Sequence, residues 1–293
     1  MSGFLCASYN IHYGIGLDGR YDVARIADAV AAADIVCLQE VIQGWPPTGH
    51  ADQAAEIAGR LSRYYVFGTG VDVDGSSCDA AGRITNRRQT FGNAVLSRWP
   101  IRSTRTLLLP KPALPDTFDL QRSVTEAVID APGLSFRVYS VHLSHVSAGQ
   151  RRPQIEALMA WINAAPAEGR PWDHEHEIMR GMGVENVEMP RAAMLMGDLN
   201  LTPAEPNYAL LCGEIADRAG RQARHDQLRD AWVVAGNDEA VGVSFADTKD
   251  AAHRIDHCLI TRDLAPLVRR AWIDQTARGS DHYPLFVEFA AAG

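Results

Sequence analysis

Short strand-like runs recur along the whole 293-residue chain and leave little room for anything but a sheet-based fold. They are Phe4–Tyr9, Ile35–Gln39, Tyr64–Gly68, Asn93–Ser97, Ser123–Asp130, Phe136–His142, Ala193–Asp198, His257–Ile260, Val268–Ile273 and Leu285–Phe289. Most are rich in Val, Ile, Leu and aromatics and are bounded by Gly, Pro, Asn or Asp, which is how strands read. Helical stripes interrupt them in three places. Val23, Ile26, Ala27 and Val30 share a face after Asp22, and Ala54, Ile57, Ala58 and Leu61 do the same. Ile155, Leu158, Met159 and Ile162 form a third stripe after Pro153. Many strands with a few interspersed helices predict an α/β (α+β) sandwich: two packed β-sheets with helices on the outer faces.

No strong linker divides the chain, so residues 1–293 are expected to form one domain. The clear interruption is Ala164–Pro190, rich in Pro, Gly, Glu and His, which reads as an insertion. Its His174/His176 pair lacks the i, i+4 spacing of a helical zinc site and reads as a solvated loop. Arg83, Arg87 and Arg88 read as a solvated loop, or else as a substrate-gripping one. Arg218, Arg221, Arg224 and Arg229 recur near helical spacing and alternate with acids, which predicts a surface helix.

Composition closes off other classes. With 46% hydrophobic and 22% charged residues, wholesale disorder is excluded. The formal net charge of -8 argues against a protein that holds nucleic acid mainly by charge, because that mode needs many cationic phosphate contacts. Lys111 and Lys249 are the two lysines, and every other basic residue is arginine. Arginine suits phosphate recognition, but abundant alanine points equally to codon bias. The cysteines Cys6, Cys37, Cys78, Cys212 and Cys258 are odd in number and scattered, a poor disulfide or zinc framework. No run approaches the roughly 18 apolar residues of a membrane helix. The first ten residues lack the parts of a secretory signal. A cytoplasmic protein with no membrane span is expected, and nothing marks an obligate protein partner.

Several strand ends carry polar residues that a strand does not need: Asn10 with His12, Glu40, His142 with His145, Asp198 with Asn200, Asp256, and Asp281 with His282. If the strands share a sandwich, these ends converge on one edge. Carboxylates without thiolates suit a hard divalent cation such as Mg²⁺, which takes one or two carboxylates and keeps several waters. A second carboxylate can deprotonate a water, a histidine can serve the phosphoryl oxygens, and asparagine amides can donate to developing charge. Together they form a toolkit for metal-assisted phosphoester hydrolysis.

The ordered set Asn10, Leu-Gln-Glu40, Val-His142-Leu, Gly-Asp198-Leu-Asn200, Arg-Ile-Asp256-His257 and Ser-Asp281-His282 resembles the endonuclease/exonuclease/phosphatase superfamily. The stretch Phe91–Ile101 is similar to one common in its bacterial members. The resemblance runs from Tyr9 to about Phe289. It implies a DNase I-like four-layer sandwich of two mixed sheets flanked by helices. It also implies roles. Glu40 would be the principal metal ligand, with Asn10 and Asp281 beside the ion. Asp198 would position and activate the attacking water, and Asn200 would hold the phosphate. His282 would contact the phosphoryl group, oriented and charged by Asp256. His142 matches the second histidine of the DNase I and sphingomyelinase branches. Abasic-site endonucleases carry a tyrosine in a comparable role, so this sequence leans away from them. Arg122 would contact phosphate, and His12 and His145 would touch substrate. The implied cofactor is Mg²⁺, with Mn²⁺ as the alternative.

Taken singly, each residue has a plainer reading. Asn10 could end a strand, Glu40 could be a surface charge, and Asp198 with Asn200 could form an Asx turn. His142 could be a core histidine, and Asp256 with His282 a structural ion pair. Asn93 reads as a turn residue leading into a strand, and His257 as structural, because strand alternation turns it away from Asp256. The expected function is hydrolysis of phosphoester bonds by in-line attack of a metal-assisted water. A small phosphodiester, phospholipid or sugar phosphate suits the acidic chain best. A DNA or RNA nuclease of the same family is the alternative. From another class, the chain could be a catalytically idle binder of a phospho-ligand or a protein.

Overall fold

The computed structural model describes residues 3–174, 176–183, 185–245 and 253–291. Two six-stranded mixed sheets face each other. In strand order, the first is Val268–Ile273, Leu285–Phe289, Phe4–Asn10, Ile35–Gln43, Arg88–Ser97 and Tyr64–Asp74. The second is Arg229–Asp230, Asp256–Ile260, Ala193–Asp198, Leu134–His142, Ser123–Ala131 and Ile101–Leu108. One parallel pair lies near the middle of each: Phe4–Asn10 with Ile35–Gln43, and Leu134–His142 with Ala193–Asp198.

Side-chain alternation sorts the core into three layers. Cys6, Ile35, Cys37 and Val95 of the first sheet meet Phe136, Val138, Met196 and Cys258 of the second. The outer face of the first sheet packs Ala7, Val36 and Leu38 against Ile26, Val30 and Ile57 of helices Val23–Val30 and Gln53–Leu61. The outer face of the second packs Tyr139, Val141 and Leu195 against Ile155, Leu158 and Ile162 of helix Ala148–Glu168. Each helix starts on an oxygen cap, at Asp22, Asp52 and Ser147. The expected four-layer sandwich is therefore what forms, and the central strands read as apolar runs because both of their faces are covered.

Several local expectations differ from the structure. The third helix begins at Ala148, because Ser147 caps it upstream of Pro153. It also runs to Glu168, so the first residues of the Ala164–Pro190 stretch are helical. Asn93 lies inside strand Arg88–Ser97, buried between the sheets, where its Nδ2 donates to the Ser123 carbonyl at 2.7 Å. The arginines from Arg218 onward form no helix. Glu214–Ala216 pairs with Gly220–Gln222 as a hairpin turning at Gly220 (φ 64°), and Arg221 is held by Glu239. The Arg83–Arg88 region is an exposed arm, where Arg83 pairs with Asp79 and Arg88 with Asp72. Four of the five cysteines are buried, Cys78 is exposed, and all are free thiols. Among the described residues, no helix is long and apolar enough to cross a membrane.

Candidate active site

The two parallel pairs aim their carboxyl ends at one edge of the sandwich, and the polar strand ends meet there. Register does the first part of the work. Asp198 stands opposite both His142 and Asp256 in the second sheet. Gly197 makes this approach feasible, because a Cβ there would collide with the Val141 carbonyl. In the first sheet Asn10 pairs with Gln39, and a bulge between Leu38 and Val41 throws Glu40 out of the ladder at φ 56°. A bulge of this kind re-aims a side chain. Of the seven non-glycine residues with positive φ among the described residues, four lie at this edge: His12, Tyr13, Glu40 and Asn200. Backbone strain of this kind concentrates at functional sites.

The cleft, about 260 Å³, is lined by His12, Glu40, Arg122, His142, His145, Asp198, Asn200, Asp281 and His282. Asp256 and Asn10 lie beneath it, fully buried. His282 Nδ1 donates to Asp256 Oδ2 at 2.8 Å, and His282 Nε2 lies 3.5 Å from Asp198 Oδ2. Burial alone would lower the pKa of this imidazole, but Asp256 and then Asp198 reverse that and raise it. The Asp198 carboxyl is pushed up by burial, opposed by His282 and reinforced by Asp256. Its Oδ1 accepts from the Asn200 N–H at 2.9 Å, so the Asx turn of the plainer reading is present alongside the cleft.

His142 Nε2 stands 3.3 Å from Asp198 Oδ2. Burial, and then Arg122, holds its pKa well below the usual histidine range. Arg122 forks beneath two rings, donating to His142 Nδ1 at 2.9 Å and to His145 Nδ1 at 3.0 Å. Arginine only donates, so both neutral rings carry their proton on Nε2. Arg122 is thus buried against the histidines at the cleft wall, with its Nε lacking a partner.

Asn10, which the resemblance places beside the ion, sits next to Glu40. Its Oδ1 accepts from the His12 N–H at 3.1 Å, while its Nδ2 faces Glu40 Oε1 at 3.3 Å and Asp198 Oδ2 at 3.1 Å. It braces two carboxylates as a donor. Glu40 Oε2 is buried and has no hydrogen-bond partner. A buried carboxylate oxygen left open in this way fits a cation ligand. Asp281 is partly exposed on the same wall. Among the described residues no three His, Cys, Asp or Glu side chains form a ready metal shell. That donor set suits an ion that takes one or two carboxylates and keeps its waters.

The cleft also holds residues that the sequence reading passed over. Phe245 packs on the His282 ring, with centroids 4.8 Å apart, and Tyr13, Phe118 and Leu120 form one wall. Ser280 Oγ donates to the Asn10 carbonyl at 2.7 Å and accepts from the His282 N–H at 3.2 Å, tying the His282 loop to the end of strand Phe4–Asn10. Ser280 stood in the Ser-Asp-His motif, but the aromatics carried no signal.

The family model described as Endonuclease/Exonuclease/phosphatase family matches residues 7–282. The chain belongs to that family. Its members are phosphoester hydrolases. Among solved structures, an endonuclease/exonuclease/phosphatase from Beutenbergia cavernae is 22% identical at TM-score 0.66, covering 100% of this chain and 72% of its own. A mannosyl-6-phosphatase from Bacteroides thetaiotaomicron is 18% identical at TM-score 0.64, covering 98% of this chain and 100% of its own. A truncated TDP2 from Caenorhabditis elegans is 18% identical at TM-score 0.56, covering 99% and 98%. These likenesses show the DNase I-like fold. No curated protein matches the sequence.

Proposed function

We propose that this chain is a divalent-metal-dependent hydrolase of phosphoester bonds, with Mg²⁺ as the ion and Mn²⁺ as the alternative. A small phosphodiester, phospholipid or sugar phosphate is the favoured substrate. The observation that carries this reading is the shared cleft. It joins Glu40, with an open buried oxygen, to a second carboxylate, Asp198, and a carboxylate-backed imidazole, His282.

Mg²⁺ held by Glu40, with Asp281 beside it, would supply positive charge to the phosphoryl group. Asp198 accepts a proton from the attacking water, and Asn10 and Asn200 fix its carboxylate for that task. His282, kept protonated by Asp256, donates from Nε2 to a phosphoryl oxygen. His142 and Asn200 line the same cleft and would face the phosphoryl oxygens. Attack is direct, and no side chain forms a covalent intermediate.

The test is a panel of a phosphomonoester, a phosphodiester, sphingomyelin and single-stranded DNA, each with Mg²⁺, Mn²⁺ or EDTA. Turnover of a small ester that EDTA stops and Mg²⁺ restores is expected, and Glu40→Ala should lower it by about 10³-fold, as loss of the metal's Lewis-acid charge would. Turnover indifferent to EDTA would defeat the metal role. Preferential cleavage of DNA would make the protein a nuclease. Turnover of none would leave a binder of phospho-ligands.

A further inference from the structure

Beside the catalytic cleft lies a second cavity, larger and of opposite character. It measures about 420 Å³ against about 260 Å³ and shares the wall made by Tyr13, Phe118 and Leu120. Its remaining lining includes Ile42, Trp45, Val71 and Phe91. The polar groups within that lining are already engaged. The Trp45 indole N–H donates to the Thr90 carbonyl at 2.8 Å, which also locks the ring in place. The Thr48 hydroxyl donates to the Trp45 carbonyl at 3.0 Å. The Tyr13 hydroxyl faces Glu40 on the catalytic side, where burial and then that charge push its pKa up to about 12. Phe118, at the junction, is 72% exposed, more than any other large hydrophobic side chain among the described residues.

A preformed apolar cavity with no free donor discriminates by what it cannot satisfy. A sugar or nucleobase entering it would lose its water and gain no partner. A hydrocarbon loses nothing and covers the exposed Phe118 ring, as apolar ligand pockets do. We propose that the cavity between Trp45 and Phe118 binds a hydrocarbon substituent of the substrate, so that the chain acts on phosphoesters bearing an alkyl chain or an aromatic ring. The proposal rests on the hydrolase reading above, since it places the scissile phosphate in the adjoining cleft.

The test is a series of 4-nitrophenyl phosphodiesters whose second ester is methyl, octyl or 3-phenylpropyl, assayed with Mg²⁺ below any micelle concentration. Each buried methylene is worth up to roughly fourfold, so kcat/KM should rise by about tenfold or more from methyl to the better long ester. The octyl and phenylpropyl arms tell an aliphatic occupant from an aromatic one. Val71→Asp and Thr48→Arg, both outside the catalytic cleft, should flatten the series and leave methyl ester hydrolysis within about twofold. Equal kcat/KM across the series would overturn the proposal and leave the hydrolase reading standing. A rise that survives both substitutions would also overturn it. Absence of turnover for every ester would overturn the hydrolase reading. Calorimetry with octyl phosphate and methyl phosphate then decides the cavity. Tighter octyl phosphate binding that Val71→Asp abolishes supports it, and equal binding overturns it.

Discussion

Two buried ionic clusters involve the second sheet, and they are built to opposite standards. At its outer face Arg137 donates to the Pro190 and Ile162 carbonyls at 2.8 Å each, to Arg191 O at 3.1 Å and to the Tyr139 hydroxyl. The Tyr139 hydroxyl donates to Glu126 Oε2 at 2.6 Å, and Arg105 forks onto both Glu126 oxygens at 2.6 and 2.9 Å. Every polar atom of these side chains has a partner. At the catalytic edge Glu40 Oε2, Asp256 Oδ1 and Arg122 Nε have none, and three carboxylates crowd around two histidines. Both clusters pay the desolvation cost of burying charge. Only the first recovers it within the chain, and the deficit in the second is what a cation and a phosphate would fill.

Substitutions at the two clusters should therefore fail in opposite ways. Asp198→Ala should lower kcat/KM by on the order of 10³-fold, because it removes the proton acceptor. It should leave circular dichroism unchanged and the melting temperature within a few degrees, since relief of carboxylate crowding offsets the lost Asx turn. Hydrolysis near the wild-type level in purified Asp198→Ala would sink the mechanism. Glu126→Ala should do the reverse. It leaves Arg105 with Glu168 as its carboxylate partner and strands the buried Tyr139 hydroxyl proton, which costs about 1–3 kcal/mol of folding free energy, read by urea denaturation. Activity per folded molecule should stay within about twofold. Equal damage to activity and stability in both variants would erase the distinction.

The same contrast explains what could be read without coordinates. Strands such as Ala193–Asp198 are covered on both faces, so their apolar runs announced them. Edge strand Ile101–Leu108 alternates half-buried and exposed residues and escaped notice. Asp198, His282 and Glu40 were legible because charge at the end of an apolar strand has few structural uses. The direction of a hydrogen bond was not legible. Whether Asn10 turns oxygen or nitrogen to Glu40, and which rings Arg122 meets, depends on how separate strands are brought together, across 20 to 30 residues of chain for these pairs. Tyr13, Phe118 and Phe245 are ordinary aromatics in sequence and become a wall only through convergence. The arginines from Arg218 onward mimicked a helix because charge spacing does not encode Gly220 as a turn.

His257 offers the smallest and most specific test, because it belongs to a separate buried network directly behind the cleft. It is fully buried, takes a hydrogen bond from Arg254 at Nδ1 (2.9 Å) and donates from Nε2 to the Leu201 carbonyl at 2.9 Å. Burial, and then the Arg254 charge, lowers its pKa from 6.5 to about 4. Between those values the unfolded chain binds a proton that the folded one refuses, so stability rises with pH across the window and is lost as pH falls from 6.5 toward 4. The full window corresponds to about 3 kcal/mol at roughly 1.4 kcal/mol per pH unit. His257→Gln should cost about 1 kcal/mol at pH 7.5, for one hydrogen bond weakened. Because glutamine does not titrate, that deficit should shrink and then invert between pH 6 and pH 4.5 in urea titrations. A deficit that stays constant across this range would mean that His257 is protonated in the folded protein, and that the network behind the cleft is as charged as the cleft itself.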